Sequence, residues 1–503
     1  MLAIISSMSN PVAAMTSERP TPHRPLILAA CMAASFMAAV EATIMATAMP
    51  AIATSLGGFS LFAWVFSAYM LGQAATIPLY GRLADIYGRR NVFFGGVFLF
   101  LLGSTLCGFS QSMPQLVLFR AIQGLGAGGV QPIANTIVGD IYTPVERARV
   151  QGLLSGVFGV SAVIGPSLGA FIVQYGDWPV VFWINLPIGV AAIIMIALFL
   201  PEDIETRPRR VDYLGSILLM VSTGALLLLI QATGVDPPVM AAMIAVVLIT
   251  GTGLALHQRR VTDPMLPLEL WHNRVIVGGS VGSLVTGILM MGVTAYLPTY
   301  IQGVMGGGAD DTAVILAIMS VVWVLGSTTA GLWLPRASYR RIATSGALAL
   351  IAGAFMLIVM TPERGPVWAG IGAALIGVGM GFSNTTYMVS VQTSVAWHQR
   401  GAATSSTMFL RFFGQSLGAA AFGAVVNASL FRQVSETSRP LDHIMDQAWR
   451  AQATQSSLAL LTDTVSIAMR NAYCLTGIMA LLALLLALNY PAKLGPANQP
   501  RLK

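Results

Sequence analysis

Residues 26–50 read LILAACMAASFMAAVEATIMATAMP, an apolar run long enough to cross a lipid bilayer. Glu41 is the only carboxylate in this run, and no other charge occurs between Arg24 and Arg82. An ionisable group in hydrocarbon is costly, so such a residue usually marks a substrate, ion or proton pathway. The alternative is an acid that stays protonated and bonds a neighbouring helix. Because Gln would do this at lower cost, we predict a functional role for Glu41.

Apolar runs of similar length recur along the whole chain of 503 residues. Apolar residues make up 55% of the sequence and charged residues only 9%, which is unlike a soluble globular protein. The sequence therefore predicts an all-α polytopic membrane protein with about fourteen transmembrane helices. The predicted spans begin near residues 25, 59, 92, 114, 151, 178, 213, 238, 275, 311, 343, 366, 401 and 470.

Lysine and arginine are distributed unevenly between alternate loops. Of the 27 basic residues, twenty fall on one predicted side, five on the other, and two, Arg120 and Arg411, inside spans. Loops rich in basic residues stay in the cytoplasm, so we expect a multi-pass protein of the cell (inner) membrane with both termini cytoplasmic. The net charge of +7 follows from this topology signal, and we expect no nucleic-acid partner.

Polar segments divide the chain into two six-helix bundles with two extra central helices between them. GRLADIYGRR (81–90) has a degenerate echo in GLWLPRASYRR (331–341), and both follow the second span of a six-span block, which indicates duplicated halves. We expect the two six-helix bundles to consist of inverted repeats. Met15 is a candidate start, because the residues before it carry no structural signal. The expected divisions are a cytoplasmic tail at 1–24, an N-terminal bundle at 25–200, a cytoplasmic linker at 201–212, two added helices at 213–256, a C-terminal bundle at 275–490 with an external loop at 429–469, and a cytoplasmic tail at 491–503.

The loop GRLADIYGRR follows the second predicted span. Its glycines allow a tight turn and close helix approach, and its aspartate suits a helix N-terminus, where the macrodipole favours a carboxylate. The loop resembles the signature of the major facilitator superfamily, which implies a cytoplasmic latch between two halves. The alternative is a basic loop without a gating role. The predicted latch residues are Gly81, Asp85, Gly88, Arg89, Arg90 and, at the end of the fourth span, Asp140.

The fourth span contains LVLFRAIQGLGAGG (116–129), which resembles the superfamily motif with a membrane-embedded arginine, here Arg120. At 1.5 Å per residue, Arg120 lies about 9 Å from the outer start of its span, and Glu41 about 8 Å from the outer face of a ~30 Å core. We therefore predict that Glu41 and Arg120 meet as a proton-coupling pair, with a purely structural ion pair as the alternative. The glycines fit a dinucleotide fingerprint, but without a preceding strand they indicate close helix packing.

The fifth span, GLLSGVFGVSAVIGPSLGA (152–170), fits the helix motif of the antiporter branch of this superfamily. Glycines on one face let a neighbouring helix approach closely, and a proline bends the helix. This motif favours export, with ordinary transmembrane packing as the alternative. The positions that fit it are Gly152, Gly165, Pro166 and Gly169.

Three further segments resemble the 14-span drug:proton antiporter family. They are EATIMATAMPAI (41–52), WINLPIG (183–189) and LRFFGQSLGAA (410–420). Glu41 stands where many members of that family have Asp. Glu in place of Asp keeps the carboxyl group and lengthens the side chain.

Arg411 lies about 15 Å into the thirteenth span, near the membrane midplane. It can bind an anionic group or hold the C-terminal half together through backbone carbonyls, and the sequence leaves both interpretations open. Arg411, Asn384 and Tyr296 are candidate residues of a substrate cavity. The cysteines at 31, 107 and 474 lie inside apolar segments without ligand-like spacing, so we expect no metal site.

These patterns predict proton-coupled efflux (drug:H+ antiport) of small amphipathic compounds, neutral or monocationic, by alternating access. The proton gradient would drive transport without a cofactor, since the sequence has no G-x-x-x-x-G-K-[ST] loop. The expected partners are the substrate, protons and the bilayer, with a monomer as the functional unit. One alternative is a proton-coupled or facilitated transporter of a specific metabolite, and another is a receptor that has lost transport. No nucleophile–base pair or metal cluster points to an enzyme.

Overall fold

The computed structural model describes residues 23–57, 61–201, 212–231, 236–261, 268–307, 309–431 and 455–492. Every regular element in these ranges is a helix. The predicted tails at 1–22 and 493–503 and most of the predicted linker, 202–211, lie outside the described residues. The helices of the N-terminal half are α1 (Arg24–Leu56), α2 (Phe62–Tyr87), α3 (Arg89–Gly108), α4 (Met113–Ile141), α5 (Pro144–Tyr175) and, after a four-residue helix Val180–Trp183, α6 (Asn185–Phe199).

The remaining helices follow in the same order as the predicted spans. A π-helical turn, Tyr300–Val304, continues the helix that ends at Thr299, and short 3-10 helices occupy Leu268–His272, Pro362–Arg364 and Trp397–Gln399. These helices are α7 (Tyr213–Gln231), α8 (Pro237–Gln258), α9 (Arg274–Thr299), α10 (Ala309–Trp333), α11 (Tyr339–Ile358), α12 (Gly365–Thr393), α13 (Arg400–Phe431) and α14 (Gln455–Leu488).

Ten helices of the described part are long and apolar enough to cross a membrane. The chain is therefore a multi-pass membrane protein, while the count of fourteen spans stays a prediction. The ten do not include α2, α4, α5 or α7, and in α7 the apolar stretch of the described residues is Leu214–Leu229. Helices α2, α4 and α5 bury polar side chains such as Gln73, Arg120 and Ser155.

Local sequence explains where several helices begin. Gly88 joins α2 to α3 with a φ of 90°, a backbone conformation that glycine adopts without strain. Thr143 begins α5 with a capping box, because its side chain and that of Glu146 each accept a hydrogen bond from the other's backbone N–H. The backbone hydrogen bond from Thr143 is the largest influence that lowers the pKa of Glu146.

The two halves have separate apolar cores. One core runs from Val275 to Tyr490 and joins helices of the C-terminal half. Two clusters fill the N-terminal half, one reaching from Ile27 to Leu200 and the other from Val40 to Phe182. Between the halves in sequence, α7 packs on α2 and α13, and α8 packs on α7.

The sixth predicted span corresponds to Val180–Phe199, where the backbone stays helical through Ile184 at a φ of −60° and a ψ of −21°. One detail differs from the sequence prediction. Residues 455–469 of the predicted external loop lie in α14, because the polar residues that suggested a loop occupy the first turns of that helix. Residues 432–454 of the same predicted loop lie outside the described residues.

The halves meet along two helix pairs, α2 with α13 and α5 with α10. An apolar cluster between α2, α12 and α13 contains Ile77, Met388 and Met408. At α5 with α10, Gly152 faces Thr328 so closely that a Cβ atom on Gly152 would overlap the threonine hydroxyl. Small residues therefore set the separation of the halves at this pair.

Candidate functional site

Glu41 is fully buried in the N-terminal half, where three helices converge on its carboxylate. Nη1 of Arg120 on α4 lies 2.5 Å from Oε1 of Glu41. Nδ2 of Asn185 on α6 donates a 2.6 Å hydrogen bond to Oε2. Both carboxylate oxygens are therefore held by side chains of the same half, and Glu41 lies at 0% exposure.

Arg120 is fixed by more than its ion pair. Its Nε donates to the Val65 carbonyl at 3.2 Å, and Nη1 donates to Oε1 of Gln123 at 2.8 Å. The guanidinium carbon lies 4.3 Å from the centroid of the Tyr69 ring. A buried arginine needs such partners, since an unpaired buried charge is strongly unfavourable. The network gives Arg120 one position in this conformation.

Asn185 is positioned in turn by a chain of hydrogen bonds. Its Nδ2 also lies 3.0 Å from Oγ of Ser104 on α3, which donates to the Phe182 carbonyl at 2.8 Å. That carbonyl belongs to the four-residue helix just before α6. These bonds hold Asn185, in the first turn of α6, against Glu41. No motif in the sequence assigned Asn185 a role.

The glycines of α4 serve helix packing. A Cβ on Gly124 would overlap the backbone of Tyr69, and one on Gly126 would overlap the backbone of Phe100. Helices α2 and α3 therefore approach α4 at backbone contact distance. This close approach brings Tyr69 of α2 against Arg120.

Helix α5 contacts α1 with one part and α10 with another. Gly165 and Gly169 face the hydroxyls of Thr43 and Thr47 on α1, so closely that a Cβ would overlap them. The Thr43 hydroxyl also donates to the Ser161 carbonyl at 3.0 Å. Gly152, one of the predicted motif positions, faces α10 of the other half. The side chain of Pro166, the fourth predicted position, lies outside the described residues.

Asp85 joins the two halves at the ends of α2 and α13. Its Oδ1 accepts from the backbone N–H of Gly401 at 3.0 Å, and its Oδ2 from that of Ala402 at 2.8 Å. These N–H groups belong to the first turn of α13, where the helix leaves them without partners and the macrodipole favours an anion. A carboxylate of the N-terminal half therefore caps a helix of the C-terminal half.

Charged groups around Asp85 extend this contact. Nη2 of Arg89 lies 2.9 Å from Oδ1 of Asp85, and Nε of Arg89 lies 2.9 Å from Oδ2 of Asp140. Arg89 also donates to the Trp397 carbonyl at 2.9 Å. Arg400 of α13 completes the group, since its Nη1 lies 2.7 Å from Oδ1 of Asp140. We call these five residues, Asp85, Arg89, Asp140, Trp397 and Arg400, the latch cluster.

The other predicted latch residues have different surroundings. Gly81 packs against Ser405 of α13, and a Cβ there would overlap the serine side chain. Gly88 supplies the turn before Arg89. The guanidinium carbon of Arg90 lies 5.6 Å from the Phe94 ring centroid within the N-terminal half. Arg400 and Trp397 were not predicted from the sequence, because they lie in the other half with no motif linking them to the loop.

The three candidate cavity residues divide into two groups. Nη1 of Arg411 donates to Oδ1 of Asn384 at 3.2 Å, which links α13 to α12. Tyr296 instead stacks on Phe422 with ring centroids 6.0 Å apart, beside the C-terminal core. The structure therefore brings Arg411 and Asn384 together and places Tyr296 in a packing contact.

The structure thus has one polar network around Glu41, a second at the latch cluster, and a glycine-lined helix, α5, that contacts both halves. This arrangement suits a membrane transporter, and most of the chain matches a family of transporters. A family model described as Major Facilitator Superfamily matches residues 31–419. The chain belongs to this superfamily. It is a transporter and not an enzyme, as the sequence predicted.

Named relatives are similar over most of their length. Multidrug resistance protein 3 of Bacillus subtilis (strain 168) is 34% identical over 393 residues, which is 77% of each chain. Multidrug transporter protein MdtP of the same organism is 31% identical over 86% of this chain and 81% of its own. The resemblance to drug:proton antiporters in the sequence is thus supported by relatives that carry multidrug names.

Solved structures share the fold at low sequence identity. The human organic anion transporter MFSD10 (TETRAN) superposes with a TM-score of 0.61 at 17% identity, covering 90% of this chain and all of that one. The proton:xylose symporter XylE superposes with a TM-score of 0.62 at 14% identity, covering 93% and 95%. At these identities the likeness defines the helical fold.

Proposed function

We propose that the protein exports small amphipathic compounds, neutral or monocationic, in exchange for protons, by alternating access between its two halves. The relatives named multidrug transporters support export. We further propose that it works in the inner membrane as a monomer with both termini cytoplasmic, and that the proton gradient drives it without a cofactor. The basic loops of the sequence support this orientation.

The observation that carries the proposal is the environment of Glu41. A carboxylate at 0% exposure is held by Arg120 on one oxygen and Asn185 on the other. Its two protonation states differ in how strongly they bind these partners, so any movement of α1 relative to α4 and α6 changes its proton affinity. Helix α5 touches both α1 and α10, and therefore provides a contact through which rearrangement of the halves reaches α1.

The latch cluster supports alternating access. It holds the ends of α2 and α13 together on the side that the basic loops assign to the cytoplasm. In this conformation the described contacts close that side, and opening it requires breaking the contacts of Asp85 and Asp140 with α13. A proton entering from outside would reach Glu41 in the closed form, and its release would follow the opening of the latch.

The driving force depends on substrate charge. One proton moving inward gains about 2.3 kcal/mol per 100 mV of membrane potential. Exchange for a neutral compound uses the potential and the pH gradient together, whereas one-for-one exchange for a monocation uses only the pH gradient. A single buried carboxylate with an arginine partner suits dications poorly.

The experiment uses proteoliposomes with an imposed pH gradient and a fluorescent lipophilic compound. Substrate addition should release protons with wild-type protein and with Glu146→Gln, which removes an acid outside the spans. Glu41→Gln should bind the compound and give no proton release. Retained proton-driven transport in Glu41→Gln would refute the assignment of Glu41. Movement of proton and compound in the same direction would favour a symporter of a specific metabolite.

A further inference from the structure

We propose that Arg411, oriented by Asn384, binds a hydrogen-bond-accepting oxygen of the transported compound, either a carbonyl or a carboxylate. The inference rests on the proposed function and narrows its substrate class. It assigns the C-terminal half a polar binding group that is separate from the Glu41 network.

The position of Arg411 places it beside the contact between the halves. It lies eleven residues after the start of α13, about 17 Å along the helix and so near mid-membrane. Met408, one turn earlier, lies with its Sδ 3.7 Å from Nδ2 of Asn135 on α4. Residues three apart share a helix face, so Arg411 follows Met408 along the surface that meets the N-terminal half.

Arg411 has few partners compared with Arg120. A guanidinium carries five N–H donors, and among the described residues Arg411 has one hydrogen bond, to Asn384, with its guanidinium carbon 5.3 Å from the centroid of the Phe412 ring. Its Nε is buried without a hydrogen-bond partner. Among the described residues no carboxylate lies within ion-pair distance of Arg411, and its bond to Asn384 is made to a side chain. The interpretation in which Arg411 ties the helices through backbone carbonyls therefore lacks the contacts it requires.

An unpaired arginine is costly at this depth, so a ligand that supplies an acceptor gains from pairing with it. Asn384, which is largely buried, fixes one edge of the guanidinium and leaves the remaining donors for that ligand. A cation without an acceptor would be repelled by the positive charge. Within the proposed class of neutral and monocationic compounds, the site thus selects for those with a carbonyl oxygen, or with a carboxylate whose charge a separate cationic group balances.

Apolar side chains near Arg411 match the rest of such a compound. Ile77, Met388 and Met408 form a buried cluster against which Phe409 and Phe412 pack. Methionine and aromatic side chains adapt to apolar groups of different shape. Arg411 and this cluster together would bind an amphipathic molecule with one oxygen acceptor and a variable apolar body.

The test is equilibrium binding to purified protein in detergent, with no proton gradient. The probes share a pyrene body and differ in the end group: pyrenebutyric acid, its methyl ester, butylpyrene and a pyrenebutyl trimethylammonium ion. Energy transfer from tryptophan to pyrene reports binding. Wild-type protein should bind the acid and the ester more tightly than butylpyrene or the cation.

Arg411→Met should weaken binding of the acceptor-bearing probes about tenfold or more, and leave butylpyrene unchanged. Asn384→Ala should give a smaller loss, and Arg411→Lys a partial one. Arg364→Met is the matched control, because Arg364 lies over Trp368 at the short 3-10 helix before α12. A loss confined to the acid would identify a carboxylate site, and an equal loss for the ester a carbonyl site.

Equal binding of all four probes to wild type and to folded Arg411→Met would overturn the proposal. If Arg411→Met unfolds, Arg411→Lys and Asn384→Ala test the proposal by the same comparison. The binding experiment uses no proton gradient, so its result is independent of proton coupling. Retained proton-driven transport in Glu41→Gln would refute the role of Glu41 in coupling and would leave the proposed binding of an acceptor by Arg411 unaffected.

Discussion

Asn185 donates its 2.6 Å hydrogen bond to the carboxylate oxygen of Glu41 that Arg120 does not bind. The two contacts come from α6 and α4, so the carboxylate is held between helices of one half. Any step that changes the protonation of Glu41 must therefore alter the packing of α6 as well as the ion pair. This relationship makes Asn185 a positioning residue for the proposed proton exchange.

Replacing Asn185 should impair proton-driven efflux. Asn185→Ala removes a hydrogen bond to a charged group, worth about 1.5–3 kcal/mol, and we expect initial efflux rates in proteoliposomes to fall about tenfold or more. Ser104→Ala should have a weaker effect, because Ser104 contacts Asn185 and not Glu41. Asn91→Ala, at an exposed site on α3, is the control. Wild-type rates in Asn185→Ala would contradict the positioning role.

The effects of replacing Glu41 and Arg120 on the stability of the protein should depend on each other. Arg120→Gln leaves a buried carboxylate without its cation and should destabilise the protein by about 3–5 kcal/mol. The double variant Glu41→Gln with Arg120→Gln should recover part of this loss, since neither charge remains. Thermal unfolding in detergent of the two single variants and the double variant measures the coupling. Additive losses would show that the two side chains act independently.

The latch cluster should control access from the cytoplasmic side. Asp85→Asn weakens the cap on α13 and removes the ion pair with Arg89, so the open form should become more populated. A cysteine at Met408, in a protein without Cys31, Cys107 and Cys474, should then react faster with an impermeant thiol reagent in inside-out vesicles. Glu146→Gln should leave the rate unchanged. Unaltered labelling in Asp85→Asn would argue against a gating role.

The close contact of α5 with α1 should not tolerate a larger side chain. Gly165→Val would drive its methyl groups into Thr43, and overpacking of this kind costs about 1–3 kcal/mol. We expect efflux to be lost while the protein still inserts. Gly95→Val is the matched control, because a Cβ at Gly95 meets nothing within 4 Å. Equal activity of the two variants would show that this contact does not matter for transport.

The charge of Glu41 and Arg120 and their calculated depth in the membrane were enough to predict that these two side chains meet. Glu41 and Arg120 are isolated charges in apolar runs, and the rise per residue placed them at one level, where the structure pairs them. The loop glycines and Asp85 could be identified because a helix N-terminus and a tight turn have local requirements.

Other residues of the site had no local signal. Asn185 is a neutral amide within an apolar run, so neither charge nor the length of the run marks it as a partner of Glu41. Arg400 meets Asp140 across 260 positions of sequence, and that distance depends on how the halves dock. Tyr296 stays a predicted cavity residue, and the contact with Phe422 across α9 and α13 is one that its position in the sequence does not indicate.

Several contacts of the latch cluster are made to backbone atoms of the C-terminal half, and this has a consequence for how its sequence can change. Asp85 and Arg89 bind N–H and carbonyl groups of Gly401, Ala402 and Trp397, so substitutions in that stretch of the C-terminal half leave the bound atoms in place. Gly401 is the exception, because a side chain there would crowd Asp85. The side chains of Arg400 and Trp397 are further exceptions, because Arg400 pairs with Asp140 and the Trp397 ring lies 4.2 Å from the guanidinium carbon of Arg89. Apart from these positions, the sequence of this stretch can change towards new cargo without removing the main-chain groups that Asp85 and Arg89 bind.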